Sequence, residues 1–154
     1  MLLSAREAVL RLLNDTERKC LQSGYCVERL NTDFGLNNRD SALAVNIYLG
    51  CIQFRNKLDF YINACSDTSS GKIDIDVRNM LRMAVYQMLW LDRVPDHAAV
   101  DEAVKICRKY NPRAVSFVNA VLRRISSSKS KLPAVCGDAA ERFSVEYRDR
   151  KSVV

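Results

Sequence analysis

The spacing of apolar residues along the first half of the chain predicts a series of helices. Apolar positions recur every three or four residues, the period of an amphipathic helix. Ser4 is placed to cap a first helix that ends near Asn14. A weaker helix is predicted near residues 17–31, and a long one over residues 39–64 with a bend around Gly50.

The second half continues the helical pattern, with a loop before it. The composition of residues 66–72, SDTSSGK, favours a loop. Residues 75–91, IDVRNMLRMAVYQMLWL, are apolar on nearly every side, which predicts a buried central helix. Pro95 then interrupts the chain, and Asp96 is predicted to be the N-cap of the next helix. A last helix is predicted over residues 113–125.

Composition supports an all-α fold in one domain. Only 5 glycines and 3 prolines occur in 154 residues, too few for the many turns of a β-sheet protein. No apolar run approaches the ~18 residues that a membrane span needs. The first helix is amphipathic and carries an acid at Glu7, unlike a secretory signal peptide. We therefore expect a cytoplasmic protein without a membrane partner.

The residues best suited to catalysis or metal binding are few. His97 is the single histidine, and Asp96, Asp101 and Glu102 lie near it in sequence, so a metal site, an acid–base pair or a helix start is conceivable. The capping role predicted for Asp96 favours a helix start, without metal or catalytic residues. The six cysteines are scattered without a C-x₂-C pair, which favours reduced thiols over a zinc site. They are Cys20, Cys26, Cys51, Cys65, Cys107 and Cys136.

Positive charge is concentrated in one segment of the chain. The net charge is +6, and residues 103–137 contain eight basic residues and no acid, whereas the remainder carries 16 basic and 18 acidic residues. Such a cluster is typical of a surface that binds a polyanion; a solvated face is the alternative. The residues predicted to form this binding surface are Lys105, Arg108, Lys109, Arg113, Arg123, Arg124, Lys129 and Lys131.

Three stretches of the sequence resemble a known family. Residues 39–59 (RDSALAVNIYLGCIQFRNKLD), 81–104 (LRMAVYQMLWLDRVPDHAAVDEAV) and 117–125 (FVNAVLRRI) are similar to the NusB-like helical domain. The sequences VPDHAAV and FVNAVLRR resemble those of the N-terminal domain of bacterial 16S rRNA cytosine-5 methyltransferases, the RsmB (or Sun/Fmu) family. Asp101 stands where that family usually has asparagine. The tail FSVEYRDRKSVV is similar to the segment leading into the catalytic domain, but lacks its Ser-His-Pro wording.

The resemblance implies both an architecture and a function. It implies a NusB-like helical bundle of about seven helices that binds RNA over residues 1–126, and it makes the basic residues of the surface described above the predicted RNA-binding residues. Residues 127–154 would form a basic linker and the start of the segment leading to a methyltransferase domain not present in this chain. The chain would position 16S rRNA for that domain, which would hold the S-adenosylmethionine and the two catalytic cysteines. It would have no cofactor and would not be an enzyme by itself.

Three other interpretations remain open at this point, one of them a metal-dependent enzyme. A stand-alone NusB-like transcription antitermination factor would bind RNA together with a ribosomal protein. A helical interaction module would instead use its basic face to contact an acidic protein.

Overall fold

Seven α-helices form a bundle in the computed structural model, which describes residues 3–129. No strand occurs in these residues, so the predicted all-α bundle of about seven helices is confirmed. Two short 3₁₀ turns, Ser70–Lys72 and Pro112–Ala114, precede α5 and α7. The helices are α1 (Ala5–Lys19), α2 (Ser23–Thr32), α3 (Asn38–Gln53), α4 (Arg55–Cys65), α5 (Ile75–Trp90), α6 (Asp96–Tyr110) and α7 (Val115–Ser127).

Helix α5 lies at the centre of the bundle, as its apolar pattern predicts. Every residue from Asn79 to Met88 is buried, and α5 packs against α1, α3, α4, α6 and α7. A helix surrounded in this way is mostly apolar on all sides, and the polar residues that it buries, Asn79, Arg82 and Gln87, have hydrogen-bond partners. Within residues 3–129, no helix combines the length and apolar character needed to cross a membrane.

The first two helices differ from their predicted bounds. Ser4 caps α1 as predicted, and it forms a reciprocal capping box with Glu7. The helix, however, continues past Asn14 to Lys19. Cys20 then adopts a left-handed conformation with φ 52° and ends the helix. The predicted helix near residues 17–31 is therefore wrong in its first part. No glycine marks this left-handed position, so the sequence carries no ordinary stop signal there.

The predicted long helix over residues 39–64 is two helices that meet at Phe54, not one helix bent at Gly50. Phe54 has φ −105° and ψ 19°, outside the helical geometry on either side of it. Gly50 lies inside α3 and is buried against the ring of Tyr86 on α5. The glycine is thus explained by the close approach of α3 to α5, since a side chain there would occupy the space of the ring.

A buried polar network fixes α1 and α4 to α5. Arg82 is 6% exposed and pairs with Glu17 of α1 at 2.6 Å and with Asp59 of α4 at 2.7 Å. Arg78 donates a further hydrogen bond to Glu17. Burial raises the pKa of Glu17, but the hydrogen bonds and charges of Arg78 and Arg82 outweigh it and leave the pKa below its usual value.

Candidate nucleic-acid interface

Helices α6 and α7 form a hairpin that carries most of the predicted cations. The apolar side of α6 packs against the core through Ala99, Ala103 and Cys107. That of α7 does so through Val118 and Leu122. Residues 111–114 form the tight turn between the two helices. Because the apolar sides of both helices face the core, the basic residues on their other sides lie on the outer surface.

The start of α6 differs from the prediction. Asp96 is the first residue of the helix, and Pro95 before it accepts the hydrogen bonds from the N–H groups of Ala98 and Ala99. The carboxylate of Asp96 forms no cap; it accepts from Ser126 Oγ at 3.0 Å and Lys129 Nζ at 3.1 Å. The N-cap prediction is therefore wrong, because the end of α7 lies close enough to bind this carboxylate.

His97 is exposed on the first turn of α6. In the part of the chain that the structure describes, no three histidine, cysteine or carboxylate side chains are grouped so that they could hold a metal ion. Five cysteines lie in that part and are free thiols, while Cys136 lies outside it.

The three cations of α6 have different surroundings. The side chain of Lys105 is 78% exposed and lies 4.0 Å from Glu102, a loose pair in water. Arg108 is exposed and has no ion pair among residues 3–129. Lys109 instead binds Glu7 of α1 at 2.6 Å. Partial burial raises the pKa of Glu7, but hydrogen bonds from Lys109, the Ser4 backbone and Tyr110 lower it to about 2.

The cations that follow α6 are also divided. Arg113 and Arg123 are exposed and have no ion pair within the described residues. Arg124 donates to the carbonyl oxygen of Cys65 at 3.3 Å and lies 3.7 Å from Asp67, so it contacts the segment after α4. Lys129 binds Asp96, as described above. Lys131 lies outside the described residues.

The predicted cations within residues 3–129 therefore have different surroundings. Lys109 is directed toward α1, whereas Arg124 is directed toward the end of α4. Arg108, Arg113 and Arg123 are the predicted arginines that are exposed and without an ion pair in residues 3–129. They are the arginines of the hairpin best suited to contact a polyanion, and we refer to them as the exposed arginines.

Two open clefts adjoin the hairpin. One, of about 310 Å³, lies between α1 and the end of α6 and includes Arg11, Arg18 and Tyr110. The other, of about 340 Å³, lies between the segment before α5 and the α6–α7 turn, and it includes Lys72, Arg113 and Phe117. We call this second one the turn cleft. The charge pattern of the sequence did not single out Lys72, Arg11 and Arg18, because they lie far from the basic segment along the chain.

Comparison with known proteins identifies the family. The model of the NusB family matches residues 3–127, which includes every helix described above. The chain belongs to the NusB family. The solved structure of NusB from T. maritima superposes with a TM-score of 0.71 at 25% identity, covering 91% of this chain and 94% of that one.

Relatives of this NusB-family chain have two kinds of name. A probable ribosomal RNA small subunit methyltransferase B from Synechocystis sp. is 26% identical over 84% of this chain, which spans only 29% of that relative. A Bacillus subtilis protein of the same name is 29% identical over 79% of the chain, which spans 27% of it. The transcription antitermination protein NusB of Dictyoglomus thermophilum is 33% identical, over 78% of this chain and 80% of that protein.

Proposed function

We propose that this chain is the RNA-binding accessory domain of a 16S rRNA cytosine-5 methyltransferase. In this role it holds rRNA for an S-adenosylmethionine-dependent catalytic domain, while its own residues perform no chemistry. The observation that carries the RNA-binding part is the set of exposed arginines, Arg108, Arg113 and Arg123, on the α6–α7 hairpin. Guanidinium groups that are free of carboxylate partners can contact phosphate oxygens without first breaking an ion pair.

The assignment to a methyltransferase rests on two supporting observations. The methyltransferase relatives are matched over a little more than a quarter of their length, as expected if a NusB-family domain is one part of a larger enzyme. The tail FSVEYRDRKSVV follows the family match and is similar to the segment that precedes a catalytic domain. Both support a domain that is one part of a larger methyltransferase.

A second candidate function is transcription antitermination together with a ribosomal protein. The observation in its favour is the Dictyoglomus thermophilum NusB, which is 33% identical and of which the chain spans 80%. In that role the same exposed arginines would contact RNA, so RNA binding alone does not separate the two functions.

RNA binding is tested first through its salt dependence. Each phosphate neutralised on single-stranded RNA contributes a slope of roughly −0.7 in log affinity against log salt, because counterions are released. The double variant R108Q/R123Q should flatten that slope by up to about 1.4 if each arginine makes one contact. Fluorescence anisotropy with a labelled 16S rRNA hairpin, measured across a salt series, gives the slope.

The control for this measurement is R39Q/R93Q, which removes the same charge from two exposed arginines outside the hairpin. Its slope should match that of the wild type. Equal slopes for the wild type and R108Q/R123Q would contradict RNA binding by the exposed arginines.

A cellular experiment separates the two functions. Deletion of the gene should remove 5-methylcytosine from a 16S rRNA position, as read by bisulfite sequencing, if the methyltransferase function is correct. Unchanged methylation combined with reduced read-through of terminators in rRNA operons would favour the antitermination function instead.

A further inference from the structure

One outer side of the bundle carries no charge along most of a helix. Residues 41–54 contain no charged side chain, although α3 reaches the surface there. Ala42 and Asn46 are exposed, and Val45 and Leu49 are half-buried. These four positions are three or four residues apart, so they share one side of the helix. The outer side of a helix ordinarily carries charged residues, and an uncharged one is suited to contact another apolar group.

Aromatic rings continue this side of α3 to the end of α5. The ring of Trp90 stacks on that of Phe54, with centroids 4.9 Å apart, and on that of Tyr86 at 5.7 Å. Phe54 and Trp90 are half-buried, so part of the stack remains open to solvent. The hydroxyl of Tyr86 donates to Asn46, which joins the stack to the exposed side of α3. The apolar surface, as we call it here, consists of Val45, Leu49, Phe54 and Trp90.

The charges at the Trp90 end of the apolar surface are mostly positive. Residues 53–57 and 91–95 contain three basic residues and one acid. The Nζ atom of Lys57 lies 5.7 Å from the centroid of the Trp90 ring, and Arg93 is exposed. A partner that combines apolar side chains with negative charge would therefore match this end of the bundle.

We propose that residues 138–147 of the same chain, DAAERFSVEY, bind the apolar surface. These residues lie outside the part of the chain that the structure describes, and their sequence has both of the required properties. Ala140, Phe143 and Tyr147 recur at the spacing of one helix side, and three acids and one base accompany them. A segment of ten residues is too short to bury such side chains within itself.

The end of the described chain lies within reach of the apolar surface. Lys129 binds Asp96 at 3.1 Å, and Asp96 follows Trp90 by six residues. A hydrogen-bonded turn within residues 91–94 shortens this path, so the Cα atoms of Trp90 and Asp96 lie at most about 18 Å apart. The chain from Lys129 to residue 138 can extend to about 30 Å. The segment can therefore reach the apolar surface without movement of any helix.

A segment of the same chain matches the apolar surface better than RNA or a second copy does. The exposed side of α3 offers no cations that could neutralise phosphates. A short linker gives an effective concentration on the order of millimolar, far above that of a second molecule in dilute solution. The contact fixes the direction in which the chain leaves the bundle, and it does not depend on RNA binding.

The test uses the full chain of 154 residues and the fluorescence of Trp90, its single tryptophan. In the wild type, residues 138–147 should shield Trp90 from the quencher acrylamide. F143A/Y147A removes both rings of the segment, so the emission of Trp90 should shift to longer wavelength and its quenching should increase. A synthetic peptide of residues 138–147 should reverse both changes when it is added at about the millimolar effective concentration of the tethered segment.

Matched controls show whether these effects belong to the apolar surface. V153A/V154A removes two apolar side chains of the same tail outside the segment, and its emission should match that of the wild type. Leu49→Glu, added to F143A/Y147A, places a carboxylate against the acidic peptide, so the peptide should no longer restore the emission. Ala120→Glu adds the same charge at an exposed position of α7 and should leave the restoration intact. Thermal unfolding of each variant shows that it is folded.

Three results would overturn the proposal. Equal emission and equal quenching in the wild type and F143A/Y147A would show that the segment leaves Trp90 uncovered. Shielding of Trp90 in the wild type that is lost on dilution would assign the apolar surface to a second copy of the chain. Shielding of Trp90 by a single-stranded oligoribonucleotide, to the same extent in both proteins, would assign the surface to RNA.

Discussion

At the scale of single residues, the two helical glycines Gly24 and Gly50 show how one residue type serves different surroundings. A Cβ added at Gly24 on α2 would meet nothing within 4 Å. A Cβ at Gly50 would overlap the ring of Tyr86, whose hydroxyl donates to Asn46 at 2.6 Å and so holds the ring in place. Only Gly50 is required by packing, although both residues interrupt helical sequence patterns in the same way.

Substitution by alanine should therefore have opposite effects at the two glycines. Gly50→Ala should lower the free energy of unfolding by about 1–3 kcal/mol, because the tightly packed interior must shift to admit the methyl group. Gly24→Ala should raise it by up to about 1 kcal/mol, because alanine loses less conformational entropy in a helix. Urea unfolding followed by circular dichroism measures both, and a destabilised Gly24→Ala would contradict the open surroundings of that position.

At the scale of helices, the sequence predicts a helix well where its apolar pattern is strong. It predicts the end of a helix poorly where that end depends on contacts with distant parts of the chain. The sequence predicts α5 over residues 75–91, and the helix is Ile75–Trp90. The extension of α1 to Lys19 depends on contacts from distant helices, such as the hydrogen bond between Thr16 and Tyr48 at 2.8 Å. The role of Asp96 is another case, since its partners follow 30 and 33 residues later.

The contact between Asp96 and α7 gives a test at this scale. If the carboxylate holds the end of α7, Asp96→Ala and Ser126→Ala should be coupled, because each removes one side of the same hydrogen bond. A double-mutant cycle in urea should give a coupling energy of about 0.5–1.5 kcal/mol. If the carboxylate of Asp96 instead capped the first turn of α6, as the sequence predicts, the coupling energy would be near zero.

At the scale of the whole molecule, polar contacts join elements far apart in the sequence. Glu7 and Lys109 are 102 residues apart, and Arg82 links α1, α4 and α5. The concentration of basic residues in one segment, by contrast, is evident from the sequence alone. Which of them lack an ion pair within residues 3–129 was not evident, because the carboxylates that pair with Lys109, Arg124 and Lys129 all lie outside the basic segment.

The same contacts should make the free energy of unfolding depend on pH in the acidic range. The pKa of Glu7 is about 2 in the folded protein against an ordinary value of 4.5. A carboxyl whose folded pKa is depressed stabilises the fold above its unfolded pKa, and this stabilisation is lost as pH falls from about 4.5 toward 2. Arg78 and Arg82 hold the pKa of Glu17 down in the same direction.

Replacing Glu7 by glutamine should make the protein less sensitive to acid. Glutamine can keep the capping hydrogen bond with Ser4 but loses the charge that attracts Lys109. Between pH 7 and pH 3, wild type should lose about 1 kcal/mol more stability than E7Q, a modest amount because solvent around the half-exposed Lys109 screens the pair. Urea unfolding at a series of pH values measures the difference. The matched variant E28Q changes an exposed carboxylate on α2 and should follow wild type; if E7Q did so as well, the Glu7–Lys109 pair would contribute nothing to acid sensitivity.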